Sequence, residues 1–87
     1  MAILPRVVDR ARQIRENVAF LLQKERKRKK LSLSLVGQRA GLSYQMVAFI
    51  ERGQSNPTIE SFVRIAQALE LDSAKILAKA QRKRSAP

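Results

Sequence analysis

The stretch KKLSLSLVGQRAGLS, Lys29 to Ser43, decides how the chain is read. Its first half, LSLSLV, alternates apolar and polar residues in the manner of a half-buried strand. Its second half sets a Gly among small and apolar residues, as a bend between two helices does. A strand at Leu31–Val36 needs a neighbour, because a lone strand leaves its backbone donors and acceptors unpaired. No second strand-like run exists in the chain, and everything else has helical spacing. Ser32 is able to cap a helix through its hydroxyl, and from there Val36 and Ala40 fall four apart with Leu35 and Arg39 beside them. The alternation is therefore the first turn of a helix from about Leu33 to Ala40. Gly41, just past its end, takes up the left-handed conformation without a Cβ clash.

Working outward, Leu42 enters the core and Ser43 caps a third helix, Tyr44 to Arg52, with Val47 and Ile50 inward. Gly53 stops it, and GQSNPT is a loop by its Gly, Asn and Pro. Thr58 caps a fourth helix with Ile59, Phe62, Ile65, Ala66 and Leu69 on its inner face. Asp72 caps a fifth, carrying Ile76 and Leu77. Upstream, residues 6–29 form one long helix that opens at Pro5. Val7, Ala11, Ile14, Val18 and Leu21 recur along it at helical spacing, and Asn17 is a possible break into two helices. The expected architecture is all-α. It has a helical extension over 1–17, a five-helix domain over 18–78 and a basic, fraying tail over 79–87.

Composition narrows the function. The 87 residues suffice for one small domain, and 45% of them are apolar. No Cys and no His are present, there is no Gly-rich phosphate loop, and no inward carboxylate pair is evident. An enzyme is therefore not expected, nor is any metal or cofactor. The longest apolar runs, VAFLL and MVAFI, fall far short of the roughly 18 residues that span a bilayer. The N-terminus is too short and too charged for a secretory signal, so an intracellular, cytoplasmic protein is expected. The 18 Lys and Arg stand against 7 Asp and Glu, for a net charge of +11. An excess of this size concentrates polyanions around the molecule. Nucleic acid is the commonest such partner, and an anionic membrane surface met by residues 6–30 is a weaker rival.

The second helix, the turn at Gly41 and the third helix make a helix-turn-helix. Gly37 supplies the small side chain where the two helices approach, and Val36, Ala40, Leu42, Val47 and Ile50 fill the angle between them. Outward on the third helix lie Tyr44, Gln45, Ala48, Phe49 and Arg52. In a major groove, Gln45 is able to pair with adenine, while Ala48 and Phe49 pack on thymine methyls. Arg52, Asn56 and the cluster Lys27, Arg28, Lys29 and Lys30 are phosphate candidates.

With LS at Leu31–Ser32, AGLS at Ala40–Ser43, V-x-x-IERG at Val47–Gly53, NPT at Asn56–Thr58 and IAQAL at Ile65–Leu69, the sequence resembles the phage-repressor and Cro-like (XRE) helix-turn-helix family over residues 18–77. The resemblance implies a five-helix, lambda-repressor-like DNA-binding domain that regulates transcription. It also implies base readout from the positions of Tyr44, Gln45, Ala48 and Phe49, phosphate contacts around Ser32, Leu33 and Ser43, and an ion pair between Arg26 and Glu51. Departures are Leu33, where the family often has a phosphate-touching Gln, and Lys30 and Glu70, where it often has Gly. The backbone N–H groups at the start of the second helix remain able to hold a phosphate oxygen. The expected partners are double-stranded DNA and a second copy of the chain, joined through the N-terminal extension, the fifth helix or both on an inverted repeat. The other reading is a protein-interaction module, of antitoxin type for example, docking through Leu33, Leu35 and Phe49.

Overall fold

Leu31–Val36 is not extended. A computed structural model describes residues 2–82, and among them it contains helices α1 (Pro5–Arg28), α2 (Leu33–Ala40), α3 (Tyr44–Glu51), α4 (Ile59–Ala68) and α5 (Ser73–Arg82), with no strand. The N-termini of α2, α3 and α4 are capped as their sequences require. Ser32 Oγ accepts the Leu35 N–H at 3.0 Å, Ser43 Oγ that of Met46 at 3.1 Å, and Thr58 Oγ1 that of Ser61 at 2.9 Å. Asp72 Oδ1 accepts from Ala74 and Lys75 at the start of α5. Each such cap is worth about 1 kcal/mol.

The C-termini share one closure. A left-handed residue ends each of α1 to α4: Lys30 (φ 58°), Gly41 (φ 71°), Gly53 (φ 70°) and Glu70 (φ 59°). The following N–H then reaches back over the last turn, from Leu31 to Arg26 O, Leu42 to Gly37 O, Gln54 to Phe49 O and Leu71 to Ala66 O, at 2.8–3.1 Å. This is the bond pattern of a Schellman motif. Leu31, Leu42 and Leu71 pack against the core immediately after it. Lys30 and Glu70 thus hold a conformation that glycine would adopt without strain.

Leu22, Val36, Val47, Ile50, Ile65 and Leu69 are fully buried and join α1, α2, α3 and the end of α4. Gly37 is required by close approach. A Cβ there would lie 2.7 Å from the carbonyl oxygen of Leu42, a backbone atom of the turn into α3. Arg26 and Glu51 form the expected pair, with Nε to Oε2 at 2.7 Å and Nη2 to Oε1 at 3.0 Å. Arg26 Nη1 also donates to Leu31 O at 2.8 Å. The two side chains are only 12% and 2% exposed.

Three expectations need correction. Asn17 is no break: α1 is continuous, and Asn17 is buried with its Nδ2 donating to Ala80 O at 3.0 Å. Arg10 likewise donates to Gln81 O. Both bonds tie α1 to backbone carbonyls of α5. The tail begins later than expected, because Lys79–Arg82 is that last turn and Ala80 is fully buried; positions 83–87 lie outside the described residues. Ile59 does not face the core, being 83% exposed. Of the α1 stripe, Val7 and Ala11 are exposed, and burial begins only at the partly buried Ile14.

Three results are expected from urea unfolding. Gly37→Ala loses about 1–3 kcal/mol through overpacking against backbone, whereas Lys30→Gly and Glu70→Gly each gain about 0.5–1 kcal/mol by relieving left-handed strain. Arg26→Met loses about 3–5 kcal/mol, because it strands the Glu51 carboxylate in the core without a counter-charge.

Candidate nucleic-acid interface

Eight residues make a helix too short to persist alone in water, so α3 depends on its neighbours. It packs on α2 across the turn and on α1 along its other side. Clasped from two directions, it buries a wide arc comprising Val47, Ala48, Ile50 and Glu51. Ala48 is therefore not an outward position: at 6% exposure it sits against the fold, and its expected place in base readout is withdrawn. The remaining arc displays Tyr44 (54% exposed), Gln45, Met46 and Phe49 (47% exposed), with the exposed Arg52 capping the end. This surface is mostly apolar and aromatic, and the Gln45 amide and the Tyr44 hydroxyl are the groups on it that both donate and accept.

Backbone donors supply the next layer. The first N–H groups of a helix have no partner inside it, and they combine with the positive end of the helix dipole to attract anions. The exposed Ser32 and Ser43 stand at two such termini, those of α2 and α3. Leu33 contributes only its backbone, because its side chain is partly buried and packs on the core. Leu35 is partly buried as well, so of the Leu33, Leu35 and Phe49 side chains named for the protein-docking alternative only Phe49 is exposed to a partner.

The cations divide into free and committed. Lys27 and Lys30 are exposed where α1 gives way to the N-terminus of α2. Lys29 is committed, contrary to expectation: its Nζ donates to the Leu69 carbonyl at the end of α4, in a part-buried position. Arg28 is bound to Glu25 by two hydrogen bonds, at 2.7 and 3.0 Å. Those bonds hold the Glu25 carboxyl below its usual range. Asn56 is exposed, and its Oδ1 accepts from Arg15 Nη1 at 2.6 Å. The roles of Arg15, Asn17 and Lys29 escaped sequence reasoning. Their partners lie 41, 63 and 40 residues away, and no local spacing signals them.

No helix among the described residues is long and apolar enough to cross a membrane. The helix-turn-helix family model matches residues 22–76, more than half of the chain. Among solved structures, the fold is similar to the restriction-modification controller protein C.AhdI from Aeromonas hydrophila, at 25% identity and a TM-score of 0.67, over 72% of this chain and 94% of that one. It is also similar to the clp gene regulator ClgR from C. glutamicum, at 24% identity and a TM-score of 0.71, over 77% of this chain and 87% of that one; this second likeness speaks to the fold alone. A comparison with curated proteins finds no match. With its helices, its capped turn and its matched segment in agreement, the chain belongs to the helix-turn-helix family of DNA-binding transcriptional regulators, in its phage-repressor and Cro-like (XRE) form.

Proposed function

We propose that the chain is a sequence-specific regulator that binds an inverted-repeat operator as a homodimer in the cytoplasm, at the nucleoid, with α3 in the major groove. What supports this most is the exposed Tyr44–Gln45–Phe49 surface on a helix whose other side is locked by Val47, Ile50 and the Arg26–Glu51 pair. Gln45 pairs with adenine N6 and N7, and Phe49 packs on a thymine methyl. Tyr44 reaches a phosphate or a base edge through its hydroxyl. Ser32, the Leu33 N–H and Ser43 hold phosphate oxygens at the helix starts. Lys27, Lys30, Arg52 and Asn56 add backbone contacts that fix position without reading sequence.

The partner seat we favour is a groove of about 740 Å³ between the N-terminal half of α1, the loop entering α4, and α5. Val7, Ile14, Ile59, Phe62 and Leu77 line it. Ile59, at 83% exposure, is a large apolar side chain left in water beside it. A twofold copy seated there buries both, and sets two recognition helices about one DNA turn apart. The N-terminal extension and α5 then contribute to one interface.

Selection of bound duplexes from a random pool, followed by anisotropy titrations, tests this reading. A single palindrome bound orders of magnitude above random duplex is expected; equal binding to all sequences removes it. Gln45→Ala is expected to relax preference at one base pair by about 1–3 kcal/mol. Lys27→Ala or Lys30→Ala weakens all duplexes alike and lowers the salt slope by about one. In sedimentation, Ile59→Asp is expected to shift the protein toward monomer, and an undisturbed dimer argues for a different seat.

A further inference from the structure

The loop between α3 and α4 is tied to the N-terminal extension by the hydrogen bond from Arg15 Nη1 to Asn56 Oδ1. Arg15 lies outside residues 22–76, so the family match gives it no role. The chemistry of this bond has only one sense. A guanidinium carries donors and no acceptor, while a side-chain amide has one oxygen and one NH2 group. Whatever way round the amide is drawn, only its oxygen satisfies Arg15. The NH2 of Asn56 therefore turns away from Arg15, on an exposed residue.

That orientation matters for an anion. A freely rotating amide presents its oxygen to a phosphate as often as its NH2, and the oxygen repels. Pro57 already confines the Asn56 backbone to extended conformations, so the freedom left is in the side chain, and Arg15 removes it. The anchor is firm, since two residues along α1 Asn17 is bound to Ala80 O in the buried contact with α5. Arg15 also keeps its Nε buried without a hydrogen-bond partner. An unsatisfied buried donor works against stability, so the arrangement is not what stability alone selects.

We propose that Arg15 is a positioning residue for a phosphate contact: without touching DNA, it holds the Asn56 amide with its NH2 toward the backbone of the duplex. The proposal rests on the DNA-binding reading above. It makes the extension ahead of the matched segment a determinant of DNA affinity and not of sequence preference.

The test is a double-mutant cycle read by anisotropy on the selected duplex and on a scrambled one, at protein concentrations where sedimentation finds every variant in the parent's oligomeric state, because Arg15 and Asn56 also line the groove given to the partner copy; melting is followed in parallel. Arg15→Met and Asn56→Ala are each expected to weaken both duplexes by about three- to tenfold, leaving their ratio unchanged. The double variant is expected to bind no more weakly than Asn56→Ala alone, and Arg15→Lys to recover part of the loss. Asn56→Asp keeps the acceptor for Arg15 but has no NH2, so it is expected to melt like the parent yet bind at least as weakly as Asn56→Ala. This variant decides the matter if Arg15→Met fails to fold. Arg15→Met binding like the parent, losses that multiply in the double variant, or Asn56→Asp binding like the parent each overturn the proposal. A parent protein with no duplex preference instead sinks the regulator reading, and this proposal with it.

Discussion

The bidentate pair between Arg26 and Glu51 is the joint on which the other features depend. Nearly out of water, it links α1 to the end of α3, and through Arg26 Nη1 it also holds the carbonyl of Leu31 where the chain turns toward α2. A buried ion pair of this kind adds little net stability compared with a well-packed apolar pair, but a broken one is severely destabilising. Its effect is therefore positional. It fixes the direction of α3 relative to α1, and so adds to the packing of Val47 and Ile50 that holds this eight-residue helix in place.

The same economy of means recurs at the helix ends. A left-handed residue, a bond back over the last turn and, at three of the ends, a leucine driven into the core set the direction in which each following segment leaves. At Gly41 and Gly53 the residue suits the conformation. At Lys30 and Glu70 it does not, and the fold tolerates the strain because the bonds on either side over-determine the turn. At Lys30 the strained position also leaves an exposed cation beside the N-terminus of α2, where an anion is attracted anyway.

A net charge of +11 overstates what the protein offers a polyanion. The pairs of Arg26 with Glu51 and Arg28 with Glu25 already cancel within that figure, and of the remaining cations Lys29 is bound to the Leu69 carbonyl, Arg10 to the Gln81 carbonyl and Arg15 to Asn56. Several of these bonds run from α1 into α4, α5 or the loop before α4, so much of the basic character of α1 serves as internal cross-linking. The cations left exposed at Lys27, Lys30 and Arg52 flank the helix-turn-helix.

The sequence by itself determined the helices, their caps, the turn at Gly41, the closeness at Gly37 and the Arg26–Glu51 pair. Each of these depends on residues near one another in the chain, or on a family pattern that spans the pair. Burial around a helix touched from two sides was not legible. Spacing alone put Ala48 outside and Ile59 inside, whereas packing by α1 and α2 drew Ala48 in, and the groove beside α1 left Ile59 in water. Nor did the sequence signal Asn17, Lys29 or Arg15, whose bonds close over forty residues or more. Local chemistry writes itself into spacing because its partners are a turn or two apart. Which side chain meets a distant carbonyl or amide is decided only when the helices have docked, and the tertiary structure alone settles that.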